Sequence, residues 1–194
     1  MITKDRFYRP FEVRISETEM RVEGYAATFE SETVMYEYDG IQYKEVIDRN
    51  AFNGTQMQDV VLNYNHGGKP VARTKNNTLE VRVNDIGLLI SADLSGTQEA
   101  RNLYEEIKGG YIDKMSFAFT VTSEEYNKET HTRRITGIKR LYDVAAVDLP
   151  AYDTTSIQAR SFFEAEAEKE RMEVRAALEL AKLKIYTKWR NKDI

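Results

Sequence analysis

From the N-terminus to Pro150, apolar and polar residues mostly alternate with a period of two, the pattern of strands that bury one face. Val13 and Ile15 alternate with polar neighbours, the polar run Ser16-Glu17-Thr18-Glu19 follows, and Met20, Val22 and Gly24 resume the alternation, which predicts a hairpin. Asp59 to His66 reads as a strand that ends in Gly67-Gly68. Leu79, Val81 and Val83, the turn Asn84-Asp85, and Ile86, Leu88, Ile90 and Ala92 predict a second hairpin. The period changes over 97–109, where Ala100, Leu103, Tyr104 and Ile107 share one face of a predicted helix, capped by Thr97 or Ser95 and ended by Gly109-Gly110.

A strand over Met115–Val121 comes next, with Met115, Phe117, Phe119 and Val121 on one face and Ser116, Ala118 and Thr120 on the other. Residues 123–134 are polar and predict a hairpin tip. The last β run, Ile138 to Leu149, stops at Pro150, which has no N–H for a ladder. Many short strands with one helix predict a mainly β (α+β) fold, a small antiparallel β-barrel with flanking helices. From residue 161 onward there is no Gly or Pro, and Ala, Glu, Lys, Arg and Leu dominate, which predicts one long C-terminal helix. The expected organisation is a β domain over 1–160 and a helical tail over 161–194.

Composition narrows the possible functions. The 194 residues are 41% hydrophobic and 31% charged, enough apolar material for a core. The net charge of −4 offers no basic stripe, so nucleic acid is not an expected partner. There is no cysteine, which excludes disulfides, thiolate metal sites and a cysteine nucleophile. The first residues, MITKDRFYRPFEVRI, contain no apolar signal core, and no stretch approaches membrane-spanning length, so a soluble intracellular protein is expected.

The candidate chemistry rests on four residues. The chain has two histidines. His131 lies in Lys128-Glu129-Thr130-His131-Thr132-Arg133, a charged tip where a solvated ring is expected. His66 follows a strand with a buried pattern and precedes two glycines, so its ring projects from a sheet edge, either as a structural histidine or as a general base. Ser116 sits in a strand of large apolar residues, and its same-face neighbours are small. With Met115 and Phe117 as its immediate neighbours, it is either a packing serine or a nucleophile on an approachable face, and a hydroxyl becomes nucleophilic only with a base in reach. Asp143 and Asp148 lie in an apolar strand, where a carboxylate is costly unless paired. Asp143 shares a face with Ala145 and Val147, and Asp148 with Tyr142, Val144 and Ala146. Each either meets a cation or amide at the sheet edge or orients an imidazole, and the residues leave both open. No Gly-x-Ser-x-Gly elbow, Walker loop or His-Glu-x-x-His motif is present, Lys69 after two glycines does not make a phosphate loop, and no cofactor or metal is expected.

In order and spacing, several segments resemble one family. They are Glu23-Gly24-Tyr25-Ala26, Glu45-Val46-Ile47 with Arg49-Asn50-Ala51-Phe52, Leu62-Asn63-Tyr64-Asn65-His66, the helix closing in Gly109-Gly110, Met115-Ser116-Phe117-Ala118-Phe119, and Asp143-Val144-Ala145-Ala146-Val147-Asp148-Leu149-Pro150-Ala151. Over residues 10–160 the chain is similar to the prohead (procapsid) maturation serine proteases of tailed bacteriophages, relatives of the herpesvirus protease assemblin. The resemblance implies a small β-barrel, Ser116 as nucleophile and His66 as base. It also implies a carboxylate at the start of the last strand, where Asp143 stands in place of the glutamate of many phage relatives, with Asp148 in reserve. Implied substrates are the scaffolding protein or the scaffolding segment of the major capsid protein, and the protease itself, as a homo-oligomer within the assembling prohead in the bacterial host cytoplasm. The helical tail is then a targeting or scaffold-interacting segment removed by self-cleavage, with the cut expected between Tyr152 and Phe163. Two other readings fit the pattern: a non-enzymatic capsid-assembly protein with a β-barrel and helical tail, and a ligand-binding barrel with a large apolar pocket and no Ser116–His66 proximity.

Overall fold

The computed structural model describes residues 5–10, 14–16, 19–148 and 157–190. It divides into two units, Met1–Ala159 and Arg160–Ile194.

Among its described residues, the first unit holds eleven strands and, besides the start of the C-terminal helix, one α-helix. Its larger sheet contains β1 (Asp5–Pro10), β4 (Thr33–Tyr38), β5 (Ile41–Ile47), β6 (Val61–Tyr64), β7 (Gly67–Arg73), β10 (Lys114–Asn127) and β11 (Thr132–Val147). Its smaller sheet contains β2 (Arg14–Ser16), β3 (Arg21–Thr28), β8 (Leu79–Val83) and β9 (Gly87–Asp93), in the order β2-β3-β9-β8. The large sheet is organised around β11. One edge of β11 pairs with β10 from end to end. The other pairs in parallel with β5 near its start and with β6 near its end, and β1 lies outside β10. Strand pairing among the described residues therefore gives two sheets and no closed barrel. The fold is mainly β, but the large sheet is mixed rather than antiparallel.

Both predicted hairpins form. β2 pairs with β3 and β8 with β9, although part of the first turn, residues 17–18, lies outside the described residues. In the second turn the Asn84 side-chain oxygen accepts from the backbone N–H of Ile86 and of Gly87, which closes it locally. Gly87 has a steric role as well: a Cβ there collides with the Ala27 carbonyl oxygen of β3, so only glycine lets the two strands approach.

The predicted helix is α1 (Gln98–Lys108), with Ala100, Leu103, Tyr104 and Ile107 buried. Its cap is Thr97, whose hydroxyl accepts from the Ala100 N–H at 3.1 Å, while the Ser95 hydroxyl is engaged with Asp93. Three features departed from the sequence reading. Strands β10 and β11 run well into the segment expected as a hairpin tip, because Arg133 is buried against Glu45 (2.9 Å) and Glu124, so its charge is paired inside the sheet. A further hairpin joins β4 to β5 through Asp39-Gly40, both with positive φ, the hairpin turn that Asp-Gly favours. His131 is half-buried rather than solvated, its ring 5.1 Å from that of Tyr43.

The aromatic part of the core is contiguous. Phe117 stacks on Phe119 at 4.7 Å and meets Phe52 at 6.0 Å, and Phe52 in turn meets Phe29 at 6.1 Å. Phe117 and Phe119 point into this cluster, so Ser116 and Ala118, which alternate with them along β10, point to the opposite face.

The described part of the second unit belongs to α2 (Ile157–Arg190), which begins three residues before the unit does. Salt bridges three residues apart, such as Glu179 with Lys182, lace its surface, while Val174, Leu178, Leu180, Leu183 and Ile185 stand exposed. No helix among the described residues is long and apolar enough to cross a membrane.

Candidate active site

Three adjacent strands bring the candidate residues together. Ser116 of β10 lies directly across from Ala145 of β11, and Ala118 from Asp143, so Ser116, Asp143 and Ala145 share one face of the sheet. On the far side of β11, β6 runs alongside and turns back into β7 immediately after Tyr64, with Tyr64 opposite Gly67. The two residues of that turn are Asn65 and His66, with φ of +48° and +56°. Positive φ at both positions is the mark of the tight hairpin turn that matches strand twist. Asparagine enters this region readily, whereas for other side chains it costs roughly 1–2 kcal/mol. In the sequence reading the strand ends in Gly67-Gly68. The bend is in fact at Asn65-His66, and the glycines open β7.

From this turn the imidazole reaches back over β11. The small Ala145 side chain, between base and serine, leaves room for it. His66 Nε2 lies 2.6 Å from Ser116 Oγ, and His66 Nδ1 lies 2.5 Å from Asp143 Oδ1. A carboxylate only accepts, so the proton sits on Nδ1 and Nε2 is left to accept from the serine hydroxyl. The group is closed off. Ser116 is 0% exposed, and the His66 and Asp143 side chains are 1% and 12% exposed, so the approachable face expected for the serine is covered.

Asp148, the other carboxylate considered, falls on the opposite side of β11. Its Oδ2 accepts from the Tyr64 hydroxyl at 2.6 Å, and its backbone N–H reaches Asn65 Oδ1 at 3.4 Å. The Tyr64 phenol is held above its ordinary value of 10.0, first by the hydrogen bond to Asp148 and then by burial. Sequence reasoning did not foresee this contact; the signal lay in the two-residue spacing of Ala146 and Asp148, since Ala146 pairs with Tyr64 and Asp148 falls on the same face. Among the described residues no cluster of His, Asp or Glu is arranged to hold a metal ion.

A hydroxyl, an imidazole and a carboxylate hydrogen-bonded in series form the constellation of serine hydrolases, which recurs on unrelated folds. Comparison with known proteins gives the family: the one described as caudovirus prohead serine protease matches residues 9–170, and the chain belongs to it. No curated protein and no solved structure matches the chain.

Proposed function

We propose that the protein is a serine endopeptidase that works by acyl transfer, with Ser116 as nucleophile, His66 as general base and Asp143 as the group that orients the imidazole and stabilises its charged form. The observation that carries this reading is the imidazole bridging Ser116 Oγ and Asp143 Oδ1 at 2.6 and 2.5 Å. His66 Nε2 takes the hydroxyl proton as Oγ attacks a peptide carbonyl. The imidazolium formed is stabilised by Asp143 and returns the proton to the leaving amine, and water then releases the acyl group by the same steps.

Family membership supports the substrate class: the scaffolding protein or the scaffolding segment of the major capsid protein, and the protease itself, in the assembling prohead within the bacterial host. In this reading the first unit is the protease proper and residues 161–194 are the tail that recruits it, a role supported by the exposed Val174, Leu178, Leu180 and Ile185. The same surface is suited to self-association. Because Ser116 has no exposed surface, a peptide reaches it only when the enclosure opens.

The test is co-expression of the wild type and of Ser116→Ala with the phage's major capsid protein. The wild type is expected to yield a shortened capsid protein and a shortened protease, and Ser116→Ala neither. Shortening that persists in Ser116→Ala removes Ser116 from the mechanism.

A further inference from the structure

The turn that carries His66 is short and strained, and its own hairpin holds it weakly. β6 has four residues, the β6–β7 register shifts between Leu62 and Tyr64, and beyond that shift Tyr64–Gly67 is the last pair before the turn. The following Gly67 and Gly68 have no side chains to pack, and Gly68 itself has φ of +71°. A base that must stay within a fraction of an ångström of Ser116 Oγ needs more than this, since misplacement by 1 Å costs roughly 10²-fold in rate.

Three contacts tie the turn to the end of β11 and the residue after it. The Asn65 N–H donates to the Ala146 carbonyl at 2.9 Å, the Asp148 N–H reaches Asn65 Oδ1 at 3.4 Å, and the Tyr64 hydroxyl donates to Asp148 Oδ2 at 2.6 Å. Strand β11 also carries Asp143, so base and carboxylate are referenced to a single rigid element. We propose that Tyr64 and Asp148 are positioning residues: a side-chain clamp that pins the left-handed Asn65-His66 turn to β11 and so sets the distance from imidazole to serine. The carboxylate that the sequence offered as a rival to Asp143 thus acts on the same imidazole from the opposite face, through the backbone that carries it. This inference rests on the proposed role of His66 as base.

The test uses the full-length protein and diisopropyl fluorophosphate, which phosphorylates a serine only when a base activates it. Tyr64→Phe and Asp148→Ala are each expected to lower the maximal inactivation rate about tenfold with the half-saturating concentration changed by less than about twofold, and the double variant to fall no further than either single, as for residues acting as a unit. Asp148→Asn, which still accepts from the Tyr64 hydroxyl, is expected to keep at least about a third of the rate. A Tyr64→Phe rate equal to wild type, or single effects that multiply in the double variant, overturns the clamp. Tyr64→Phe removes one oxygen atom and serves if Asp148→Ala fails to fold.

A second readout needs no reactivity. The Nδ1 proton of His66, assigned by its persistence in His131→Gln, is expected to move or broaden in the proton NMR spectrum of Tyr64→Phe, and an unmoved resonance counts against the clamp. If the wild type does not react with the reagent, the serine-protease reading fails, while this resonance still decides whether the clamp positions the ring.

Discussion

Ala145 matters to Ser116 by what it lacks. Any larger side chain at that position, cross-strand from the serine and beside β6, would occupy the space through which the His66 ring passes to reach Oγ. Asp143 is one strand pair further along the same face, and its role depends on accepting from Nδ1 and thereby fixing which nitrogen is basic. Asp143→Asn preserves shape and loses the charge. We expect it to slow capsid-protein shortening by roughly 10²–10⁴-fold, as loss of the orienting carboxylate does in serine hydrolases, and far more than Asp148→Asn; the reverse ranking in a timed cleavage assay would reassign the third member. At this scale the sequence was partly legible. His66 and Ser116 stood out by position and by small neighbours. The two aspartates were equivalent until the fold showed which face of β11 looks toward the serine. Alternation does separate the two faces, but it does not say which one the base will lie over.

The elements depend on ion pairs that a period-two reading scores as polar. The Arg133–Glu45 pair is almost wholly buried and ties β11 to β5, and its charges made residues 123–134 look like a solvated tip. Register shifts in β10 near Phe119, Val121 and Ser123 further blur its alternation. The Asp39-Gly40 turn, by contrast, carries a readable signal for the β4–β5 hairpin.

One residue along, Arg134 joins β11 to Glu30 and Asp48. Glu30 is held below its ordinary value of 4.5, first by the hydrogen bond from Arg134. Asp48 is held below 3.8, first by the Asn50 backbone N–H and then, after burial acting the other way, by Arg134. Carboxylates whose folded values are depressed stabilise the protein above their unfolded values, and that stability is lost as pH falls through the folded ones, below about pH 4. The thermal midpoint of the wild type is therefore expected to fall steeply below about pH 4. Arg134→Gln should lower the midpoint near neutral pH and flatten the acid limb. An unchanged acid limb would show that Arg134 does not set it.

For the whole molecule, strand content and the single α-helix of the β unit were legible, whereas sheet closure was not. Alternation says that a strand is half-buried but not which strand it pairs with. The parallel pairing of β11 with both β5 and β6, which splits one long strand between two partners, is a property of the assembled sheet alone. That arrangement has a functional consequence: β11 touches every element of the site, pairing with the serine strand on one side and with the strand leading to the histidine turn on the other.

The most direct measurement of the central claim is the mass of the protein after diisopropyl fluorophosphate treatment, followed by peptide mapping. A single phosphoryl adduct on Ser116 is expected in the wild type and none in His66→Ala. No adduct in the wild type, an adduct on another residue, or undiminished labelling without His66 would contradict it.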